Sequence, residues 1–387
     1  MKFLFPYMAR WNSANMSRYS HLFNKIAEAG HTVIVVQPPA RISQETNYID
    51  IPIHYHSNII LQTVEISPGL WNARMPMDKF FKKALYTIAS YLRIRKLAAV
   101  EKPDAIVVYN LPQYIYTFIP VPIVFDYADD YIAMLAHELG VQRSNILCKI
   151  GDSLLSMLIQ RASLVTSVSQ MLHETVRHQN AVLLPNGADL GAQPIEKDVL
   201  HIDKSKPVIG YIGAFEYFID LDLMIETAAS MPEYSFLIVG AGREFVRVKE
   251  AVRTRNLENV ILTGAVSHRQ AMQFALEMDV CLNLFVKSDV ADAASPIKLF
   301  EYMAKGKPII STRLREIVRI DPNGEIVYYA DTLSEVTSAI REALTNVELR
   351  VRKTARGSEL VRTEYNWKAI AERFVQYCSG LKRKTAI

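Results

Sequence analysis

The sequence contains few cysteines, and they have no metal-binding spacing. Cys148, Cys281 and Cys378 are the three cysteines of the 387-residue chain; they lie far apart and are odd in number. Disulfide frameworks and zinc sites need paired or closely spaced cysteines, so neither is expected to hold this fold together. We predict a reduced, cytoplasmic protein in which Cys281, inside the apolar run DVCLNLF, is a core residue.

Long hydrophobic runs are missing as well. The N-terminus MKFLFPYMARW has one apolar patch broken by Pro6, and no stretch reaches the roughly 18 apolar residues of a spanning helix. We therefore expect a protein that is neither exported by a standard signal nor integral to a membrane. The net charge of +4 is too small for this length to indicate a nucleic-acid partner.

The motifs of several enzyme classes are also absent. No G-x-S-x-G, H-E-x-x-H or Walker sequence occurs, so hydrolase and kinase functions have no support. The stretch VGAGREF imitates the glycine pattern of dinucleotide-binding proteins, but Phe245 replaces the third glycine. We therefore expect no nicotinamide cofactor.

Alternating strand and helix patterns run through the whole chain. The apolar strand candidates are KFLF, HTVIVVQ, DAIVVYN, PIVFDY, SLVTSV and AVLLPN, then PVIGYIG, SFLIVG, NVILTG, DVCLNLF, KPIIST and EIVYYAD. Continuous apolar strands separated by amphipathic helices indicate parallel sheets covered on both faces. The chain length suits two such domains, so we predict an α/β protein with two Rossmann-like parallel-sheet domains.

Proline, glycine and charge replace the periodic pattern near the middle of the chain. We predict a first domain over residues 1 to 185, a linker over 186 to 207 and a second domain over 208 to 364. The C-terminal helix, 365 to 387, is expected to cross back to the first domain.

Polar residues cluster where the predicted strands of the first domain end, which is where ligands bind in open α/β sheets. An acidic cluster of three aspartates follows the strand PIVFDY, and we expect all these residues to face one cleft. They are Arg10, Asn12, Asn15, Asn110, Asp126, Asp129 and Asp130.

The segment SPIKLFEYMAKGKPII predicts an anion-binding helix in the second domain. Ser295 suits the N-cap and Pro296 the first helical position, and Gly306 suits the end of a helix of about three turns. Lys298 and Glu301 lie on one face near the positive end of the helix dipole. The pair suits a nucleotide diphosphate and its ribose; an ordinary surface Lys–Glu pair is the alternative.

Five segments in this order resemble the donor-binding half of GT-B glycosyltransferases, most closely the family 4-like enzymes that build bacterial surface polysaccharides. They are PNGAD (185 to 189), IGYIGAFEYFIDLDLM (209 to 224), FLIVGAG (236 to 242), NVILTGAVSH (259 to 268) and DVCLNLF with SPIKLFEYMAKGKPIIST (279 to 312). The resemblance implies a nucleotide-sugar donor, with UDP-sugar favoured over GDP-sugar, and a saccharide or lipid-linked saccharide acceptor.

The resemblance also implies roles for particular residues. Glu301 matches the acid that holds the ribose, and Lys298 occupies the position of a phosphate-contacting residue. Gly213 matches the glycine that lets the backbone approach the sugar diphosphate. The remaining donor-side residues are Val266, near the base with His268, and Ser295, Pro296 and Ile297; the acceptor-side residues are Arg10, Asn12, Asn15 and Asn110.

Two departures from the family pattern leave the stereochemical outcome open. Retaining members carry a second glutamate eight residues before the ribose acid, and Ala293 stands there, with Asp292 one residue out of register. The first-strand loop reads WNSANMSR and lacks the usual glycines. Both features bring the sequence closer to the xanthan-type glucuronosyltransferases, which invert.

The acidic cluster has three interpretations. A metal-binding D-x-D is absent, and Lys298 already supplies positive charge, so we expect no metal. Crowded carboxylates raise one another's pKa, which suits a general base. Family comparison favours Asp129 as that base, with Asp126 and Asp130 orienting it or the acceptor; a helix cap is the alternative for any one of them. His21 is a rival base, although a first-turn histidine is more often exposed.

Residues 71 to 96 combine seven basic residues with a single acid, Asp78, and place apolar side chains on one helical face. This composition is typical of a helix on anionic lipid and favours peripheral attachment to the inner face of the cell membrane. A surface helix packed through its apolar stripe is the alternative. The basic residues are Arg74, Lys79, Lys82, Lys83, Arg93, Arg95 and Lys96, and the stripe is Phe81, Leu85, Ile88 and Leu92.

A metal-independent glycosyltransferase is the function that these observations favour. Two alternatives stay open at this point: a nucleotide-sugar epimerase on the same fold, and a non-catalytic subunit that binds nucleotide sugars.

Overall fold

The computed structural model describes residues 1–11, 17–40, 55–73, 78–191, 202 and 205–381. The chain forms two compact units. The first contains the described residues up to Pro185 and those from Trp367 onward, and the second contains Asn186–Asn366. Each unit is built on one parallel sheet, as the predicted fold class requires.

The first unit has a seven-stranded parallel sheet in the order β3-β2-β1-β4-β5-β6-β7. Its strands are β1 (Lys2–Pro6), β2 (Thr32–Gln37), β3 (Ile59–Thr63), β4 (Ala105–Val108), β5 (Ile123–Tyr127), β6 (Leu164–Ser167) and β7 (Ala181–Leu183). Its helices are α1 (Arg18–Glu28), α2 (Pro68–Asn72), α3 (Asp78–Glu101), a 3-10 helix (Leu111–Phe118), α4 (Tyr131–Leu139), α5 (Ile146–Arg161), α6 (Gln170–Thr175) and α15 (Trp367–Ser379).

The central strands of this sheet are buried along their whole length and are mostly apolar, because helices cover both faces. Strands β4 and β5 are buried at every position, and Phe3, Leu4 and Phe5 of β1 have no exposed surface. The strand order reverses between β1 and β4, so their carboxyl ends diverge and form the crevice where ligands bind in such sheets. The strand β3 was not predicted.

The second unit has a six-stranded parallel sheet in the order β10-β9-β8-β11-β12-β13. Its strands are β8 (Val208–Ile212), β9 (Ser235–Val239), β10 (Val260–Leu262), β11 (Val280–Asn283), β12 (Ile309–Ser311) and β13 (Val327–Tyr329). Its helices are α7 (Leu221–Ser230), α8 (Phe245–Thr254), α9 (His268–Glu277), α10 (Asp289–Asp292), α11 (Ile297–Ala304), α12 (Arg315–Ile320), α13 (Leu333–Thr345) and α14 (Val347–Thr363). The order reverses between β8 and β11, which makes their carboxyl ends the ligand edge.

The core of the second unit extends into the segment predicted as a linker. Ala188 is 1% exposed and Ile202 is 4% exposed, and both belong to the core cluster of this unit. The free thiol of Cys281 is buried in the same cluster, which confirms its prediction as a core residue. The boundary between the two units in this part of the chain lies between Pro185 and Asn186, and the second unit includes Ala188 and Ile202.

The C-terminal helix α15 packs against α1 in the first unit. The ring of Trp367 stacks on His21 at 5.2 Å between centroids, and Phe374 lies 5.7 Å from Phe3. His21 is only 1% exposed. The expectation of an exposed histidine early in the first helix was therefore wrong, because α15 covers that face of α1.

Among the helices in the described ranges, none has both the length and the apolarity needed to cross a membrane.

Candidate active site

The three aspartates of the acidic cluster lie at the carboxyl end of β5 and in the turn that leads into α4. Asp126 is part of the strand, whereas Asp129 and Asp130 follow it. Asp126 is 0% exposed, Asp130 is 4% exposed, and Asp129 is exposed to solvent. The three aspartates are therefore close in sequence but lie in three different environments.

Asp126 is held in a buried ion pair. Arg18 donates from Nε to Asp126 Oδ2 at 2.8 Å and from Nη2 to Oδ1 at 3.0 Å, and Thr166 Oγ1 donates to Oδ1 at 2.6 Å. Arg18 also donates to the carbonyl oxygens of Leu184 at 2.9 Å and Pro185 at 3.1 Å. A carboxylate with both oxygens engaged in this way anchors the end of the first unit rather than receiving a substrate proton.

Asp130 caps helix α4. Its Oδ1 accepts hydrogen bonds from the N–H groups of Ile132 at 3.2 Å and Ala133 at 3.0 Å. Its Oδ2 accepts one from Arg143 Nη1 at 2.8 Å. These contacts satisfy two orphan donors of the helix start, so the cap interpretation applies to Asp130.

Asp129 differs from both neighbours because the residue as a whole is solvent-exposed, although its carboxylate is partly desolvated. It makes no side-chain hydrogen bond or ion pair within the described part of the first unit. The pKa of Asp129 is raised to about 7, mainly because its carboxylate loses hydration among the surrounding groups; Asp126 and Asp130 contribute to the rise, while Lys83 and Arg18 oppose it. A carboxylate with this pKa is suited to accept a proton near neutral pH.

Gln113 connects the two strands that flank the crevice of the first sheet, and the sequence interpretation missed it. Its Oε1 accepts from the N–H groups of Tyr109 at 2.7 Å and Asn110 at 2.9 Å, and its Nε2 donates to Pro6 O at 2.5 Å. The signal was the N-x-x-Q spacing of a capping box from Asn110 to Gln113. The clamp holds the ends of β1 and β4 in register beside Asp129.

Two of the four predicted acceptor-side residues, Arg10 and Asn110, lie within the described residues. Arg10 is half-buried and its Nη1 lies 3.4 Å from the carbonyl oxygen of Pro38, and Asn110 is half-buried at the end of β4. Asn12 and Asn15 lie outside the described residues.

In the second unit, Lys298 lies in the first turn of α11, enclosed by aromatic rings. Its Nζ donates to Tyr211 Oη at 3.1 Å and lies 4.5 Å from the Tyr211 ring centroid and 5.0 Å from that of Phe285. Burial lowers the pKa of Lys298 to about 7, against a smaller opposing effect of Glu301. Within the described residues no carboxylate forms an ion pair with this ammonium group, so the site favours an added anion.

The start of α11 differs from its prediction. Pro296 occupies the N-cap position, the helix covers about two turns instead of three, and no described side chain caps it. Ser295 instead accepts at Oγ from Asn186 N at 3.4 Å, and its carbonyl accepts from Asn186 Nδ2 at 2.6 Å. The asparagine of the PNGAD motif thus fixes the residue that leads into the helix, and the uncapped first turn at Ile297 keeps its capacity to bind an anion.

Gly213 lies beside Lys298 at the carboxyl end of β8. A Cβ atom there would lie 2.7 Å from Tyr211 Oη and 3.1 Å from Lys298 Nζ. Only glycine therefore leaves room next to the ammonium group.

Glu301 contacts His268 across the second unit. His268 Nε2 lies 2.6 Å from Glu301 Oε1, and Glu301 is 7% exposed. Burial alone would lower the pKa of His268, but the Glu301 carboxylate outweighs it and the pKa is raised. His268 begins α9, and its side chain is 18% exposed. Val266, just before α9, is half-buried against the core.

Ala293 and Asp292 supply no second acid beside Glu301. Ala293 is 1% exposed, and Asp292 accepts a hydrogen bond from the N–H of Arg315 at 3.1 Å. The departure from the retaining-enzyme pattern therefore holds in three dimensions for these two residues.

The chain superposes over nearly its whole length on solved structures that include glycosyltransferases. Sucrose-phosphate synthase from Thermosynechococcus elongatus superposes with a TM-score of 0.72 at 15% identity, over 97% of this chain and 98% of that chain. WaaG, a glycosyltransferase involved in lipopolysaccharide biosynthesis, has a TM-score of 0.68 at 13% identity over 98% and 100%. HepE from Anabaena, solved with UDP and glucose, has a TM-score of 0.69 at 14% identity over 98% and 100%. The two parallel-sheet units are those of the GT-B glycosyltransferases.

The sequence comparisons agree with this class. Residues 222–376 match the model of a family described as Glycosyl transferase-like. A putative teichuronic acid biosynthesis glycosyltransferase of Bacillus subtilis, TuaH, is 28% identical over 209 residues, 50% of each chain. An uncharacterized glycosyltransferase of Methanocaldococcus jannaschii, MJ1178, is 25% identical over 203 residues, 52% of this chain and 53% of its own length. The chain spans about half the length of these curated relatives. Its fold is GT-B and its sequence is similar to that of glycosyltransferases, as predicted.

Proposed function

We propose that the protein transfers a sugar from a nucleotide-sugar donor to a saccharide or lipid-linked saccharide acceptor, in surface polysaccharide or glycoconjugate biosynthesis and without a metal ion. The observation that carries the proposal is Lys298, a cation enclosed by aromatic rings in the first turn of α11. HepE, solved with UDP and glucose, supports a UDP-sugar as the donor.

The donor diphosphate is proposed to lie against Lys298 and the first turn of α11. The ammonium group and the helix dipole both act on the anion, and they supply the positive charge that a divalent ion provides in other glycosyltransferases. Glu301 is proposed to accept hydrogen bonds from the ribose hydroxyls, and Gly213 leaves room for the backbone to approach the phosphates.

The acceptor is proposed to bind the first unit at Asp129. As an acceptor hydroxyl attacks the anomeric carbon, the bond from that carbon to the phosphate oxygen breaks and a nucleoside diphosphate leaves. Asp129 takes the hydroxyl proton, for which a pKa of about 7 is well matched.

UDP-glucose is expected to raise the melting temperature of the wild-type protein, and to do so equally in EDTA. A ligand that binds only the folded state stabilises it by about 2.7 kcal/mol when present at about 100 times its Kd.

Glu301→Gln keeps the side-chain volume but loses the charged acceptor. We expect the substitution to weaken UDP-glucose binding by about 10- to 100-fold, measured by calorimetry, because hydrogen bonds to a charged group are worth about 1.5–3 kcal/mol.

Glu250→Gln is the matched control for this experiment, because Glu250 is an exposed acid on α8 of the same unit. It should bind UDP-glucose as the wild type does. An unchanged affinity of Glu301→Gln would remove Glu301 from the ribose site, and dependence of wild-type binding on a divalent ion would contradict the metal-independent donor site.

The outer face of α3 is proposed to lie on an anionic lipid surface. Ile88 is 70% exposed and Leu92 is 72% exposed, so this part of the apolar stripe does not pack against the unit. Arg95 and Lys96 are exposed on the same helix. Apolar side chains flanked by cations suit the headgroup region of an anionic bilayer.

Two of the predicted lipid-binding cations, Lys82 and Lys83, have other roles. Lys82 is 6% exposed and donates to the carbonyl oxygens of Leu70 at 2.9 Å and Ala73 at 2.8 Å, so it stabilises the fold. Lys83 acts electrostatically on Asp129. Arg74 and the side chain of Lys79 lie outside the described residues.

Replacement of the exposed α3 residues is expected to reduce flotation with vesicles that contain phosphatidylglycerol. Each cation near such a surface contributes about 1 kcal/mol, so Arg95→Gln with Lys96→Gln should lower the partition coefficient by roughly 30-fold. Ile88→Ser with Leu92→Ser should lower it independently of salt. Val246→Ser with Arg253→Gln, at exposed positions of α8, is the control. Equal flotation of all variants would leave α3 without a lipid role.

A further inference from the structure

A basic recess of about 480 Å³ lies in the second unit, at the carboxyl ends of β11 and β12. Its lining contains four cations, one carboxylate and one apolar residue. The residues of this recess are Lys287, Asp292, Arg313, Arg315, Val318 and Arg319.

The cations of the basic recess share few carboxylates. Lys287 and Arg313 both pair with Asp331, at 3.1 Å and 2.9 Å. Arg315 lies 3.5 Å from Asp292. Because Lys287 and Arg313 share one acid, the recess carries an excess of positive charge, which favours an anionic ligand.

Two of the cations are open to solvent, whereas one is held by the fold. The Arg315 side chain is 71% exposed and that of Lys287 is 58% exposed. Arg319 instead donates to Glu316 at 2.7 Å and to Tyr365 Oη at 3.4 Å. The exposed pair can therefore rearrange around a ligand without loss of a buried contact.

The basic recess adjoins the proposed diphosphate site on the same edge of the sheet. The Phe285 ring lies 5.0 Å from Lys298 Nζ, and Lys287 follows Phe285 by two residues. Consecutive Cα atoms are about 3.8 Å apart, so the Cα of Lys287 lies within about 8 Å of the Cα of Phe285. The diphosphate has its own cation in Lys298, which leaves the recess for a second anion.

We infer that the basic recess binds an anionic group of the substrate other than the nucleotide diphosphate, a carboxylate or a phosphate. The inference rests on the proposed function. Guanidinium groups bind both anions through paired N–H donors. The anion has two sources: a carboxylate on the transferred sugar, as in a uronic acid, or a phosphate on the acceptor.

The test compares Lys287→Ala with Arg315→Ala, as a double variant, against Arg253→Ala with Arg341→Ala. The control makes the same charge change at exposed positions of the same unit. Calorimetry measures UDP, UDP-glucose and UDP-glucuronic acid on each protein, and then inorganic pyrophosphate on UDP-saturated protein. The pyrophosphate titration is repeated without nucleotide on two further proteins: the single variant Lys298→Ala, and the triple variant that combines Lys298→Ala with the double variant.

A sugar carboxylate in the recess predicts that the wild type binds UDP-glucuronic acid at least tenfold more tightly than UDP-glucose, and that only the double variant loses this preference. An acceptor phosphate predicts that pyrophosphate binds the UDP-saturated wild type and not the double variant. If neither effect occurs, or if the control loses it equally, the inference is wrong. If UDP does not bind, the proposed function is wrong. The recess is still tested in that case, because the pyrophosphate titration on Lys298→Ala needs no nucleotide.

Discussion

Asp129→Asn is expected to lower kcat by a factor of about 10² to 10⁴ while the donor affinity stays near that of the wild type. The substitution keeps the shape of the side chain and removes its capacity to accept a proton. The donor site lies in the other unit of the fold, so its affinity is not expected to change. The measurement is the rate of nucleoside diphosphate release with the donor and acceptor found by screening, together with donor calorimetry.

The neighbouring aspartates are the controls for this prediction. Asp130→Asn alters a helix cap and Asp126→Asn breaks a buried ion pair, so both should act mainly on stability. The loss in free energy of unfolding should be larger for Asp126→Asn, about 3–5 kcal/mol.

The kcat/KM of the wild type should fall as the pH drops below about 7, because Asp129 becomes protonated, and Asp129→Asn should lack this decrease. Turnover within a few-fold of the wild type would exclude Asp129 as the base.

Lys298→Ala is expected to weaken UDP-glucose binding by about 10- to 150-fold at pH 6, the range expected for hydrogen bonds to a charged group. The pKa of the free lysine is lowered to about 7, so its charge is present below that pH and lost above it. A bound diphosphate favours the charged form and raises the pKa on binding. Wild-type affinity should therefore fall as the pH rises above about 7, by at most tenfold per pH unit.

UDP-glucose suits this measurement because its diphosphate is a diester and does not titrate near neutral pH. Lys298→Arg should show an affinity that is flat between pH 6 and pH 9, since an arginine stays protonated throughout, with pKa above about 12. Lys249→Ala, at an exposed position of α8, should match the wild type at every pH. A wild-type affinity independent of pH would show that Lys298 does not contact the diphosphate.

The fold class could be predicted from the sequence because buried parallel strands appear as unbroken apolar runs. The strand β3 was not predicted because it is a partly exposed edge strand, and its segment IILQT contains two polar residues. The start of α11 was misplaced because Ser295 uses its hydroxyl on Asn186, a contact from a distant part of the chain. Local capping preferences do not contain that information.

In the candidate site too, the local sequence identified the residues, whereas their contacts with residues distant in the chain could not be predicted. Spacing alone identified three aspartates, but their chemistry depends on Arg18, Thr166 and Arg143, which belong to other elements. Lys298 was found as a cation at a helix start, whereas its aromatic enclosure by Tyr211 and Phe285 could not be inferred from SPIKLFE. Sequence reasoning thus located the groups, and their protonation behaviour required the tertiary structure.

The membership of α15 in the first unit has a consequence for folding during synthesis. Phe374 contacts Phe3 and Phe23, yet the whole of Asn186–Asn366 separates these partners in the chain. The second unit is continuous and can close as soon as it leaves the ribosome, while the first unit waits for its final helix. The face of α1 that α15 covers, including His21, stays uncovered during that interval, so the helical layer of the first unit is completed after the second unit.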